Sequence, residues 1–114
     1  NNDGITASFY WSHAATTTNF DVVWGLQAVA ISNDDPIGTA YGSVQDVTDT
    51  GGTTNDLYIT SSTSTITIAG TPATADEVFF RVYRNATSGG DTLAIDARLM
   101  GVAVFYTVTT LDDA

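Results

Sequence analysis

One histidine, His13, is the only side chain in this sequence whose ordinary titration range suits general-base work near neutral pH. Serines and aspartates are plentiful, so a Ser-His-Asp hydrolase is the first chemistry to weigh. His13 lies in Ser12-His13-Ala14-Ala15, which reads as a polar loop after an aromatic strand, and no Gly-x-Ser-x-Gly elbow occurs in the chain. Its loss is expected to leave folding and function unchanged. With no cysteine, a lone histidine cannot complete a conventional zinc site. Glycoside hydrolysis needs two carboxyl groups facing each other across a cleft, and 12 aspartates plus Glu77 supply many pairs on paper. Most of them, Asp34, Asp35, Asp46, Asp49, Asp56, Asp76 and Asp91, read as turn residues that satisfy the local backbone. Glu77 opens a strand as an edge charge. The expected protein is therefore not an enzyme.

Binding chemistry has a few more openings. The oxygen-rich runs Asn33-Asp34-Asp35 and Asp46 to Asp49 leave room for calcium in a β-loop, although neither follows the helix–loop–helix calcium pattern; no other cofactor is expected. Asn85-Ala86-Thr87 is a glycosylation sequon, meaningful only in a secreting eukaryote. Aromatic residues gather in Phe9-Tyr10-Trp11, with Trp24 and Tyr41 nearby. Strand alternation puts Phe9 and Trp11 on one face and Tyr10 on the other. Core packing is the expected role of Trp11 and Trp24. A sugar-stacking platform would instead need Tyr10, Trp11 or Tyr41 exposed in one shallow groove. Arg81, Asp96 and Arg98 are expected to form an ion pair or network, because Arg81 falls between Phe79 and Tyr83, where an unpaired charge is costly.

The elements that must position these residues are strands. The chain has 114 residues, enough for one domain with a modest core. Its 20 threonines and 8 serines favour pleated, half-exposed positions, and no stretch keeps a helical period. Turn residues delimit candidate strands at Ile5–Trp11, Phe20–Ser32, about Gly42–Val47, Asp56–Thr60, Thr65–Ala69, Glu77–Asn85 and Thr92–Thr109, the last interrupted near Asp96 or Gly101. Seven to nine short strands predict an all-β, two-sheet antiparallel sandwich of jelly-roll kind. An immunoglobulin-like sandwich is the alternative, lacking its cysteine signature.

Charge and hydropathy narrow the partners. Thirteen acidic residues face only three arginines, for a net charge of −10, which disfavours nucleic acid and anionic membrane surfaces. The apolar run Val22–Ile31 is too short to cross a bilayer as a helix. Three strands are apolar on both faces. Val78, Phe80 and Val82 oppose Phe79 and Tyr83; Met100, Val102, Val104 and Tyr106 oppose Leu99 and Phe105; Trp24 and Leu26 oppose Val23, Val29 and Ile31. One sandwich has one interior, so the second face needs another subunit or domain. Phe79, Arg81, Tyr83 and Phe105 are the expected oligomer interface.

Several segments carry a resemblance: Phe9-Tyr10-Trp11, Val23-Trp24-Gly25-Leu26-Gln27, Thr67 to Ala73, Phe79 to Arg84 and, most specifically, Asp91 to Val102. Together they resemble a family of small structural proteins of tailed bacteriophages and prophages. The resemblance implies a virion component on the particle surface, as a capsid decoration, fibre or tail-associated domain, and supplies no catalytic residues. It also implies a further N-terminal portion, so that residues 1–114 form the C-terminal domain of a longer chain; the opening Asn1-Asn2-Asp3-Gly4, without methionine, agrees with this. Expected partners are other copies, in a homotrimer by analogy with viral attachment proteins, and other virion proteins. The rival reading is a receptor- or carbohydrate-binding module that takes a host-surface glycan.

Overall fold

The computed structural model describes residues 4–14 and 19–106. It is all-β and forms two packed sheets, as the threonine load and missing helical period predict. The strands are β1 (Ile5–His13), β2 (Phe20–Ile31), β3 (Gln45–Gly51), β4 (Tyr58–Ile59), β5 (Ile68–Ala69), β6 (Glu77–Arg84) and β7 (Ala97–Tyr106). Sheet A has the order β4-β1-β7. Sheet B is centred on β2, with β3 and β5 in line along one edge and β6 along the other.

Several elements differ from expectation: β1 runs on to His13, β4 and β5 shrink to two residues each, β7 begins only at Ala97, and β3 and β5 change the topology. The third strand starts later and runs further, because β2 dictates its register: Phe20 pairs with Gly51 and Trp24 with Val47. Asp46 and Asp49 are thus strand residues, not turn residues. β5 runs parallel to β2, matching Ala28 to Ile68 and Val29 to Ala69, so sheet B is not wholly antiparallel. The chain leaves that parallel position through Gly70, whose φ is +85° and whose backbone presses against Ala30; a Cβ there would collide with the Ala30 carbonyl oxygen.

The inward row of β1 (Ile5, Ala7, Phe9, Trp11, His13) meets the inward row of β2 (Val22, Trp24, Leu26) to make the core. Phe9 stacks on Trp24 at 6.1 Å between ring centroids, and Trp11 packs among Trp24, Phe20 and Tyr58. Threonine has a specific task here. Residues 60–66 follow the edge of β1 irregularly, and buried Thr60 and Thr63 fill the gaps with their hydroxyls. The Phe9 N–H donates to Thr60 Oγ1 at 3.0 Å and the Ala7 N–H to Thr63 Oγ1 at 3.1 Å, while the Thr60 and Thr63 N–H groups donate to the Phe9 and Ala7 carbonyls. Buried backbone donors are thereby satisfied where no regular ladder forms.

Candidate functional site

His13 is not in a loop. It occupies the last position of β1, and strand parity turns it inward beside Trp11, where it is 0% exposed. Phe20 meets its ring edge-on at 4.7 Å and Tyr58 stacks at 5.9 Å. Nδ1 lies 2.7 Å from the Ala14 carbonyl oxygen, which can only accept, so Nδ1 carries the proton. Nε2 is buried with no hydrogen-bond partner. No serine or carboxylate hydrogen-bonds the imidazole among the described residues, and the triad geometry is not assembled.

The carboxylates are dispersed among structural tasks. Asp49 Oδ2 accepts from Trp11 Nε1 at 2.9 Å, tying sheet B to sheet A. Asp46, three residues earlier, lies on the opposite face and accepts from Tyr83 Oη at 3.4 Å across Gly25. That phenol is pushed up by burial and by the Asp46 charge. The oxygen pair considered for calcium is therefore split between two faces of one strand. Asp35 accepts from the Ser32 N–H within its own turn, and Asp76 accepts from Ser32 Oγ and the Ala73 N–H. Among the described residues, no group of three metal-ligating side chains forms. In the sequon, Thr87 Oγ1 donates to Asn85 Oδ1 at 3.2 Å.

The aromatic platform does not form as a groove. Trp11 is 0% exposed, a correction to any ligand-facing role for it. Tyr10 is half-buried on the outer face of sheet A, whereas Tyr41 is exposed on a segment tied to sheet B through the Gly42 N–H and the Ala28 carbonyl.

The ion pair also falls elsewhere than expected. Arg81 is exposed, donates to Gln27 Oε1 at 3.1 Å and lies over the Tyr83 ring; Arg98 donates to Asn55 Oδ1; Asp96 is exposed. The pair that does form is Arg84–Asp91. Arg84 Nε and Nη2 grip both carboxylate oxygens at 2.9 and 2.6 Å, and Asp91 Oδ2 also accepts from the Val23 N–H. Arg84 further donates to the Leu93 and Ile95 carbonyls, so one guanidinium clamps the 85–96 connection against the end of β2. Burial pushes the Asp91 carboxyl up, but the bonds from Arg84 and the Val23 and Leu93 N–H groups outweigh it and leave its pKa below the usual carboxylate range. The sequence signal was present in the Arg84 to Asp91 spacing across Ser88-Gly89-Gly90, where a tight reversal brings the two together.

What remains without an internal role is one side of the sandwich. Trp11 and Tyr58 place β4 over β3, so β6 and β7 share the opposite side. β6 pairs only with β2 and β7 only with β1, so among the described residues both strands have a bare edge on this side. Val82, Ala97 and Val102 reach the core. Phe80, Leu99, Val104 and Tyr106 lie on inward rows yet stay exposed, because neither sheet extends far enough to cover them. On the outer rows Phe79 is 43% and Phe105 49% exposed, with Arg81 exposed and Tyr83 half-buried. All four residues expected at an interface thus lie on these two strands. Large apolar side chains are thus concentrated on the exposed part of this side.

Comparison with protein-family models, with curated proteins and with solved structures finds no match to this chain.

Proposed function

We propose that this chain is a non-catalytic structural component of a tailed-phage particle, a jelly-roll-like domain that works by association as a capsid decoration, fibre or tail-associated element. The observation that carries the reading is the open side, where two long edge strands present Phe79, Phe80, Leu99, Met100 and Phe105 to solvent. Burying one such side chain is worth about 1.5–3 kcal/mol, a sum large enough to hold an assembly together. The dispersal of His13 and the carboxylates into packing and turn roles supports the non-enzymatic part. The resemblance of the segments from Phe9 to Val102 supports the placement in a virion. Copies of this chain and other virion proteins are the proposed partners. A glycan-binding role is less well supported, since Trp11 is buried, Tyr10 lies on sheet A and Tyr41 lies on a connecting segment tied to sheet B. Antibody raised against the purified chain, applied to purified phage particles from the source, tests the proposal. Regular labelling of the particle surface is the expected result; particles that contain none of the protein would overturn it.

A further inference from the structure

The open side has two bare edges, and their charges differ. β7 carries one charged residue, Arg98, and is broken by a register shift opposite Tyr10 and Trp11. β6 carries Glu77, Arg81 and Arg84 on an uninterrupted eight-residue strand. Arg84 is already committed to Asp91. Glu77 and Arg81 are exposed, opposite in sign and four residues apart, so they share the outer face with Phe79 midway between them.

Resting on the assembly reading, we propose that β6 pairs antiparallel with β6 of a second copy, across a two-fold axis through Phe79. Such an axis, perpendicular to the sheet, keeps outer faces together, so only registers centred on a residue are allowed. Centred on Phe79, Glu77 stands opposite the partner's Arg81, and Arg81 opposite the partner's Glu77. Val78 stands opposite the partner's Phe80 on the inward face. A centre at Phe80 places Glu77 against Tyr83 and sets no opposite charges against each other within β6. A centre at Arg81 sets guanidinium against guanidinium, and like charges directly opposite are destabilising. Arg81 is available for the contact, since among the described residues its only side-chain hydrogen bond goes to Gln27. The β3 edge cannot substitute. β3 carries Asp46 and Asp49 and no cation, so two copies of it would oppose carboxylates in a chain of net charge −10. Pairing at β6 extends sheet B through both molecules, satisfies the outward backbone groups of the edge and brings the partner's chain over Phe80. The contact is two-fold, in place of the three-fold form expected by analogy.

The test uses the full chain in analytical ultracentrifugation, with circular dichroism to confirm folding. Unmodified protein should sediment as a dimer at micromolar concentration. Glu77→Arg should raise the dimer dissociation constant at least tenfold, even though it lowers the net negative charge and would tighten a contact governed by overall repulsion. Arg81→Glu should weaken it similarly, and the double swap Glu77→Arg with Arg81→Glu should restore dimers. A monomer, a trimer, or a dimer indifferent to Glu77→Arg overturns the proposal. A monomer that still labels virions would overturn this pairing and leave the virion role standing, so the two failures are distinguishable.

Discussion

The two sides of this sandwich use similar strands and end differently. On the side of β3 and β4, side chains reach between the sheets: Trp11 donates to Asp49, and Tyr58 stacks on Trp11 while its hydroxyl accepts from the Gly52 and Thr53 N–H groups. Those bonds hold the Tyr58 phenol below its usual pKa, chiefly the one from Thr53. On the side of β6 and β7 no comparable residue bridges the sheets among the described residues, and Phe79, Phe80, Leu99, Met100, Phe105 and Tyr106 are left exposed at the rim. The polar, acidic side is finished within one chain. The apolar, arginine-bearing side keeps large side chains exposed, and its completion by a second copy is the proposal. All three arginines of the chain lie on β6 and β7, where they temper a surface otherwise surrounded by carboxylates.

Substitutions separate the two sides by size of effect. Trp11→Ala should be the most damaging, at about 3–5 kcal/mol, since it opens a cavity at the centre of the closed side and strands the Asp49 carboxylate; urea unfolding measures it. Asp91→Ala should cost about 3 kcal/mol by leaving Arg84 without its counter-charge at the end of β6. The pair also sets a pH dependence. Because Asp91 titrates lower folded than unfolded, its contribution is complete above about pH 4 and disappears as pH falls through the folded value. Asp91→Ala should therefore flatten the acid limb of stability against pH, checked by thermal melts between neutral pH and strong acid. Thr63→Val should cost about 1–2 kcal/mol through the unsatisfied Ala7 N–H, in the same unfolding assay. At the far end of the scale, Phe105→Ser on the open side should change the unfolding free energy of the isolated chain by less than about 0.5 kcal/mol. A loss from Phe105→Ser as large as that from Trp11→Ala would erase the distinction between the sides.

Much of this was legible in the sequence, and the failures have identifiable causes. β2 and β6 were readable because they are dense in apolar residues and bounded by clear turns. The two-faced character of β6 and β7 was readable for the same reason, and both faces do carry exposed large side chains. β3 was misplaced because Asp46 and Asp49 resemble turn residues, whereas the free edge of β2 recruits Gln45–Gly51 whatever its propensity. His13 was misread because its polar neighbours suggested a loop; two more residues of β1 and the parity of the strand turn it into the core. It follows that His13→Ala, expected from sequence to be harmless, should destabilise the fold by about 2 kcal/mol or more. Arg81 was paired wrongly because strand alternation shows which face a residue takes, but not that the connection over 85–96 leaves Asp96 exposed while Asp91 closes on Arg84.

Hydrogen–deuterium exchange at two protein concentrations tests the difference between the sides most directly. If the open edge is completed by a second copy, amides of Val78–Arg84 that point away from β2 exchange slowly at high concentration and quickly after dilution, while β3 amides are indifferent to dilution. Equal exchange of the β6 amides at both concentrations, with the protein folded throughout, would contradict the account.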